Sequence, residues 1–393
     1  MSKINILVVP SDHYGSGKFR SIDPHITLDQ SEFFVDINYT PDFDDVEYLK
    51  QFQIVHIHRY IKERFWETDK IIKTLQDLGI KVVFDIDDYW IVDTNHQSYK
   101  QTQKMEIPKH IIAAARQSDL ITVPTTLLAD KLRSSSIKNN IAVLPNSINP
   151  KEDQYLIRPT QSEQLRFGYL GGSSHLLDFE LLQGIGSSEQ KYQTVLCGYD
   201  IRGIVKYKNP DTGEITDQNV SPFQTVWFQY ELIMTNGFES IKNDKEYLDW
   251  LLLFKDENYS DLNKPYRRIF TRAVNSYAKG YNQFDVSLAP LKDTVFNMYK
   301  SELKIIEAGF MKKALIASNY GPYTSDLVHG KNALLVETNK NHKLWKKHIK
   351  TLVDNPNMVI DLAESLHETV KDKFSQKTVN TLRSQQYKNL IND

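Results

Sequence analysis

The sequence predicts an α/β protein built from two doubly wound, Rossmann-like parallel-sheet domains that face each other across a cleft. Three observations carry this. Short apolar runs alternate with longer helical stretches along the chain, the pattern of parallel sheets covered by helices on both faces. A two-proline segment, LPNSINP at residues 144–150, breaks the alternation. A length of 393 residues suits roughly two domains, and 40% hydrophobic content is enough for two packed cores.

In the first domain, residues 1–150, strands are expected at 4–9, 33–37, 54–57, 82–86, 120–123 and 141–144. The opening MSKINILVVP reads as the first of them, since its apolar run is too short for a signal sequence or a membrane span. A second series, at 165–170, 194–197, 284–288, 314–317 and 333–336, builds the domain 151–393, with the C-terminal helix expected to return to the first domain. Residues 199–264 read as an irregular insertion. Such a pair of domains leaves its ligand position outside the C-terminal ends of the strands.

A net charge of −2 argues against a nucleic-acid partner, which demands a basic surface. The lone Cys197 excludes an internal disulfide framework and a Cys-rich metal site, and suits a reducing compartment. The chain is expected to be cytoplasmic, with membrane contact only peripheral and at a surface. Oligomeric state is not legible.

Four motifs, together with PYRRIF and the stretch 296–323, fall where the cleft should be. In YGSGKFR, residues 14–20, Gly15 and Gly17 let backbone approach a ligand while Lys18 and Arg20 supply cations; the competing reading is a surface turn. It is not a P-loop, because Asp12 and Phe19 stand where that pattern needs Gly and Ser or Thr. In VHIHRY, His56 and His58 share one strand face, but a zinc site needs a further ligand that nothing adjacent supplies. They read as cleft-lining or core histidines. In VVFDIDDYW, a strand ends in Asp85, Asp87 and Asp88; Asp87 or Asp88 is expected to face an acceptor, with helix N-capping by Asp88 as the alternative.

In FGYLGGSSH, Gly171 and Gly172 leave room for a diphosphate, the amides of Ser173 and Ser174 point toward it, and His175 is left open. Arg267 and Arg268 of PYRRIF reach the phosphates or lie solvated. The richest stretch is FNMYKSELKIIEAGFMKKALIASNYGPY, residues 296–323. Ser301 suits an N-cap, and Leu303, Ile306 and Phe310 follow at helical spacing, which puts Lys300 at the positive helix N-terminus, where an anion is favoured. Glu307 then points to an apolar-flanked side and is able to accept from sugar hydroxyls. A plain i, i+3 pair with Lys304 is the alternative.

KSELKIIEAGFMKKALIASNYGPY, followed by LVHGKNALLVE, resembles the donor-site helix and next strand-loop of family-4, GT-B-type glycosyltransferases. The resemblance implies a GT-B fold and transfer of a sugar from a nucleoside-diphosphate sugar to a glycan or lipid-linked acceptor, with retention and without a metal or other cofactor. It implies that Glu307 binds the nucleotide ribose and that Lys300, with Ser301 and Lys304, holds the diphosphate. Gly15, Gly17, Arg20, Gly171, Gly172 and Arg267 border the donor, and Asp87, Asp88 and Lys300 carry the catalysis. Asp85-Ile86-Asp87 is also similar to the metal-binding DxD of GT-A glycosyltransferases, but that motif belongs to a single-domain architecture. Many family-4 members carry a second Glu eight residues before the ribose-binding one, where this chain has Tyr299. A sugar-nucleotide epimerase on the same fold and a non-catalytic nucleotide-sugar-binding protein are the rival readings.

Overall fold

A computed structural model describes residues 3–96, 98–137, 140–160, 162–200, 204–208, 215–219, 224–237, 264–337 and 342–392, with 243, 245, 246 and 249. Among them the first domain holds strands β1 (Ile4–Val9), β2 (Phe33–Ile37), β3 (Ile54–His58), β4 (Lys81–Asp85), β5 (Leu120–Val123) and β6 (Asn140–Val143). All pair in parallel, in the order β2-β1-β3-β4-β5-β6. These strands are apolar on both faces because helices cover both. One such helix, Thr68–Asp77, turns Ile71, Ile72 and Leu75 into the core at helical spacing.

The second domain begins at β7 (Arg166–Leu170) and β8 (Gln193–Tyr199). The insertion then contributes an antiparallel hairpin, β9 (Ile204–Lys208) and β10 (Ile215–Asn219), and the helix Val226–Thr235; the remainder of 199–264 lies outside the described residues, apart from a few isolated positions. Next come β11 (Tyr266–Phe270), β12 (Val286–Ala289), β13 (Ala314–Ser318) and β14 (Leu334–Val336), in the parallel order β11-β8-β7-β12-β13-β14. Strand β11 was not expected from the sequence, because its paired arginines interrupt the apolar run. The helix Leu303–Phe310 packs closely on Pro356–Val370: a Cβ at Gly309 would lie 2.5 Å from Val370 Cγ2.

The chain passes between the domains twice, and the passages lie side by side. Ile148 bridges Ser375, with Ile148 N donating to Phe374 O at 3.1 Å and Gln376 N to Ile148 O at 2.9 Å. Beyond them the helix Gln376–Asn392 packs on the first domain, where Tyr387 and Leu390 join Ile6, Val8 and Ile54. No helix among the described residues is long and apolar enough to cross a membrane.

Candidate functional site

A cleft of about 690 Å³ opens between the domains at the C-terminal ends of both sheets. Its first-domain wall follows β3 and β4. Arg59 leaves β3 with φ at +60°, a left-handed conformation unusual for a side chain of this size, which turns its guanidinium back toward β4. There Nη2 donates to Asp87 at 2.8 Å and to Asp88 at 2.7 Å, and Nε donates to Asp87 as well. Burial opposes ionisation of Asp87, yet Arg59 and His58 beside it hold its carboxyl below the usual carboxylate range. Asp88 goes the other way, raised by burial and then by the charge of Asp87. All three residues line the cleft.

The second-domain wall is cationic. Lys300 follows the short helix Val295–Met298, and its ammonium sits 5.1 Å from the Phe296 ring centroid with no ion pair among the described residues. It lies just before the helix Leu303–Phe310, whose first amides have no intrahelical acceptor. Glu302, not Ser301, is the N-cap, and its side chain makes no cap hydrogen bond. Ser301 Oγ instead accepts from Asn146 Nδ2 at 2.9 Å, tying the helix start to the linker. Lys304 lines the cleft, donates to the Leu170 carbonyl and lies 5.4 Å from the Tyr169 ring centroid; burial lowers its pKa.

Glu307 is 2% exposed at the cleft wall. Its oxygens accept from Tyr277 Oη and, at 2.8 Å, from Tyr281 Oη, and no ion pair to Lys304 forms. The plain i, i+3 pair is therefore not what holds it. Burial raises its pKa, against the opposing pull of Lys304 and the two phenols.

The Gly171-Gly172 turn lies at the end of β7. A Cβ at Gly171 would meet Tyr169 Oη at 2.4 Å, whereas Gly172 faces open space and its carbonyl accepts from Tyr230 Oη at 3.2 Å. His175 lines the cleft and contacts Asp178 at 2.9 Å through Nδ1; burial and then the charge of Lys300 lower its pKa to about 4, so it is neutral at physiological pH.

Several sequence expectations are corrected. Arg20 is not at the cleft: it is 1% exposed, forms a bidentate pair with Asp85 at 3.0 and 2.6 Å, and donates to the Leu144 carbonyl at 2.5 Å. Asp85 also accepts from Thr122 at 2.5 Å, so this acid is an internal tie. Gly17 is buried in a helical turn, where a Cβ would fall 1.9 Å from the Asp12 carbonyl oxygen; only Gly15 of that pair lines the cleft. Arg267 is held on β11 with Nη1 3.5 Å from Gln283, and Arg268 pairs with Glu231. The cation that reaches the cleft from this strand is Arg272, just past its end. Lys18 pairs with Asp23 and Glu152. Of the two readings of His56 and His58, cleft-lining or core, the structure gives the core, at 1% and 0% exposure.

Sequence reasoning missed Arg59, Arg272, Tyr277 and Tyr281. The two tyrosines, four residues apart in SYAKGYNQF, left a signal; Arg59 left none, since its conformation is set by the junction after β3. Tyr299 stands against Tyr89 of the first domain with centroids 4.9 Å apart, so it packs across the domain boundary.

No family model matches the chain, and no curated protein matches it in sequence. Solved structures do match. Sucrose-phosphate synthase from Thermosynechococcus elongatus superposes with a TM-score of 0.64 at 13% identity, over 99% of this chain and 99% of its own. The chain has the GT-B fold. A glycosyltransferase from Rickettsia africae gives 0.59 at 14% identity over 100% and 99%, and Anabaena HepE, solved with UDP-glucose, gives 0.55 at 11% over 98% and 100%. In this GT-B chain the cleft thus joins a first-domain wall bearing Arg59, Asp87 and Asp88 to a second-domain wall bearing Lys300, Arg272 and Glu307.

Proposed function

We propose that the protein is a glycosyltransferase that moves a sugar from a nucleoside-diphosphate sugar to a glycan or lipid-linked acceptor, with retention of configuration. One observation carries the reading: the Lys300 ammonium, without an ion pair among the described residues, stands at the start of the helix Leu303–Phe310, inside the interdomain cleft and among the residues that form it with the Gly171-Gly172 turn. A diphosphate placed there meets a full positive charge, orphan helix amides and a turn with no side chain to exclude it. Glu307 would accept from the ribose hydroxyls on the same wall.

As the sugar leaves, positive charge develops on its ring and negative charge on the diphosphate. Lys300 and the helix amides stabilise the latter more strongly in the transition state than in the bound complex, which is what accelerates a reaction. Asp87, held ionised by Arg59, and Asp88 beside it face the acceptor side, where a carboxylate orients a hydroxyl. The leaving diphosphate takes the acceptor proton. Cations and amides do the work of a bridging metal, and the carboxylates of Asp85, Asp87 and Asp88 already accept from arginines.

A thermal-shift screen of nucleoside diphosphates and their sugars tests the binding half. UDP sugars come first, because HepE is solved with UDP-glucose. A ligand at a hundredfold excess over its Kd stabilises by about 2.7 kcal/mol, and a nucleotide sugar is expected to raise the melting temperature while the free sugar does not. No shift with any nucleoside diphosphate would remove the reading.

A further inference from the structure

Glu307 sits in an environment that resists its charge, yet the reading above needs that charge at the ribose. Its carboxylate is 2% exposed, and burial alone would favour the neutral acid. Two phenols from one short helix, Tyr277–Gln283, donate to it, and Lys304, Tyr155 and Tyr323 are the other titratable groups among the described residues close enough to act on its charge. Tyr277 donates to Oε1 and Tyr281 to Oε2, one hydroxyl for each oxygen. A donor on each oxygen fixes the plane of the carboxylate and favours its ionised form. Each oxygen accepts more than one hydrogen bond, so the two phenols leave acceptor capacity for the hydroxyls of a ribose.

The two tyrosines differ in what else they touch. Tyr281 is 0% exposed and belongs to the second-domain core. Tyr277 lines the cleft, and its ring meets Phe19 of the first domain edge-on, with centroids 6.3 Å apart and planes at 90°. Phe19 also lines the cleft, in the helical segment that follows β1.

We propose that Tyr277 and Tyr281 are positioning residues that clamp Glu307 as an oriented carboxylate, and that Tyr277 links this carboxylate to the first domain through Phe19. The proposal rests on the ribose assignment of Glu307. Removing either hydroxyl takes away a donor to the charged form, so the carboxyl pKa rises and more of the protein carries neutral Glu307 at low pH. Nucleotide affinity should then fall preferentially on the acid side.

The test is calorimetric titration of UDP into wild type, Tyr277→Phe, Tyr281→Phe and Glu307→Gln from about pH 5.5 to about pH 8.5, with melting curves recorded alongside. Titration of the UDP phosphate itself is common to all four proteins and cancels in the affinity ratio to wild type. The clamp predicts a ratio about tenfold below wild type at the acid end for each Phe variant, converging toward wild type at the alkaline end, and a loss at every pH for Glu307→Gln. A purely structural role would lower the melting temperature and leave the ratio flat with pH. If Glu307→Gln loses affinity while both Phe variants follow wild type at every pH, the clamp is overturned and the ribose assignment stands. If Glu307→Gln binds as wild type does, the ribose assignment fails and the clamp with it. Should Tyr281→Phe not fold, Tyr277→Phe on the cleft wall carries the same comparison.

Discussion

Lys300 and Glu307 have opposite electrostatic settings, and this decides how their loss should read out. Lys300 has no ion pair among the described residues, so its charge is available to a ligand, and Lys300→Ala should lower turnover by on the order of 10²–10³ with little change in melting temperature. Steady-state kinetics with an identified donor checks it; unchanged kcat and KM would contradict the assignment. Glu307 is buried and anchored, and Glu307→Ala should weaken nucleoside diphosphate binding about 10–150-fold, the equivalent of roughly 1.5–3 kcal/mol for hydrogen bonds to a charged group. Equal affinity in a calorimetric titration would sink that role. Both residues were legible because their sequence signals are local: a charge beside a helix start and an acid among apolar neighbours. Arg20 was not, since its partner Asp85 lies 65 residues away and only the packed sheet brings them together. Separating such a pair leaves a buried charge uncompensated, so loss of Arg20 is expected to be felt in folding rather than in ligand binding.

Among the elements, apolar runs announced the strands that both faces bury, while β11 stayed hidden because Arg267 and Arg268 interrupt its run. The helix Leu303–Phe310 was legible to within two residues, its start falling at Leu303 because Glu302 rather than Ser301 takes the cap position. Docking of the C-terminal helix Gln376–Asn392 depends on neutral histidines. His25 Nδ1 is 2.5 Å from the Ser21 carbonyl and must donate to it, which leaves Nε2 to accept from Tyr387 Oη at 2.7 Å. Tyr387 Oη in turn lies 3.1 Å from His56 Nδ1, which donates to it. Burial lowers both histidine pKa values well below the ordinary value of 6.5, with the charge of the neighbouring ring next for His25 and that of Arg383 next for His56. A folded-state pKa depressed in this way gives stability that is present above the unfolded value and lost as pH falls below it. Melting temperature should therefore decline as pH drops below about 6.5, and His56→Gln should flatten that acid limb. A wild-type melting temperature that is level from neutral pH to about pH 5 would contradict this origin.

At the scale of the whole molecule, the cleft is built by juxtaposition: Lys300, Lys304 and Arg272 come from the second domain, Arg59 and its acids from the first, and the linker residue Asn146 joins them through Ser301. The alternation of strands and helices made two facing sheets legible, but not which loop residues meet across the gap, since that depends on how the domains dock. With cations and helix amides at the proposed diphosphate position, turnover is expected to survive chelation by EDTA; loss of activity restored by magnesium or manganese would give the Asp85–Asp88 acids a metal-binding role.

The central claim is sugar transfer, and proton NMR of the anomeric region tests it most directly, following a sugar nucleotide incubated with the protein alone and with glycan or lipid-linked acceptors. Transfer predicts that the donor signal is replaced, only when acceptor is present, by free nucleoside diphosphate and a new glycoside of the same anomeric configuration. A new sugar-nucleotide isomer formed without acceptor would identify an epimerase, and an unchanged donor signal across donors that bind would leave a binding protein; either result contradicts the account.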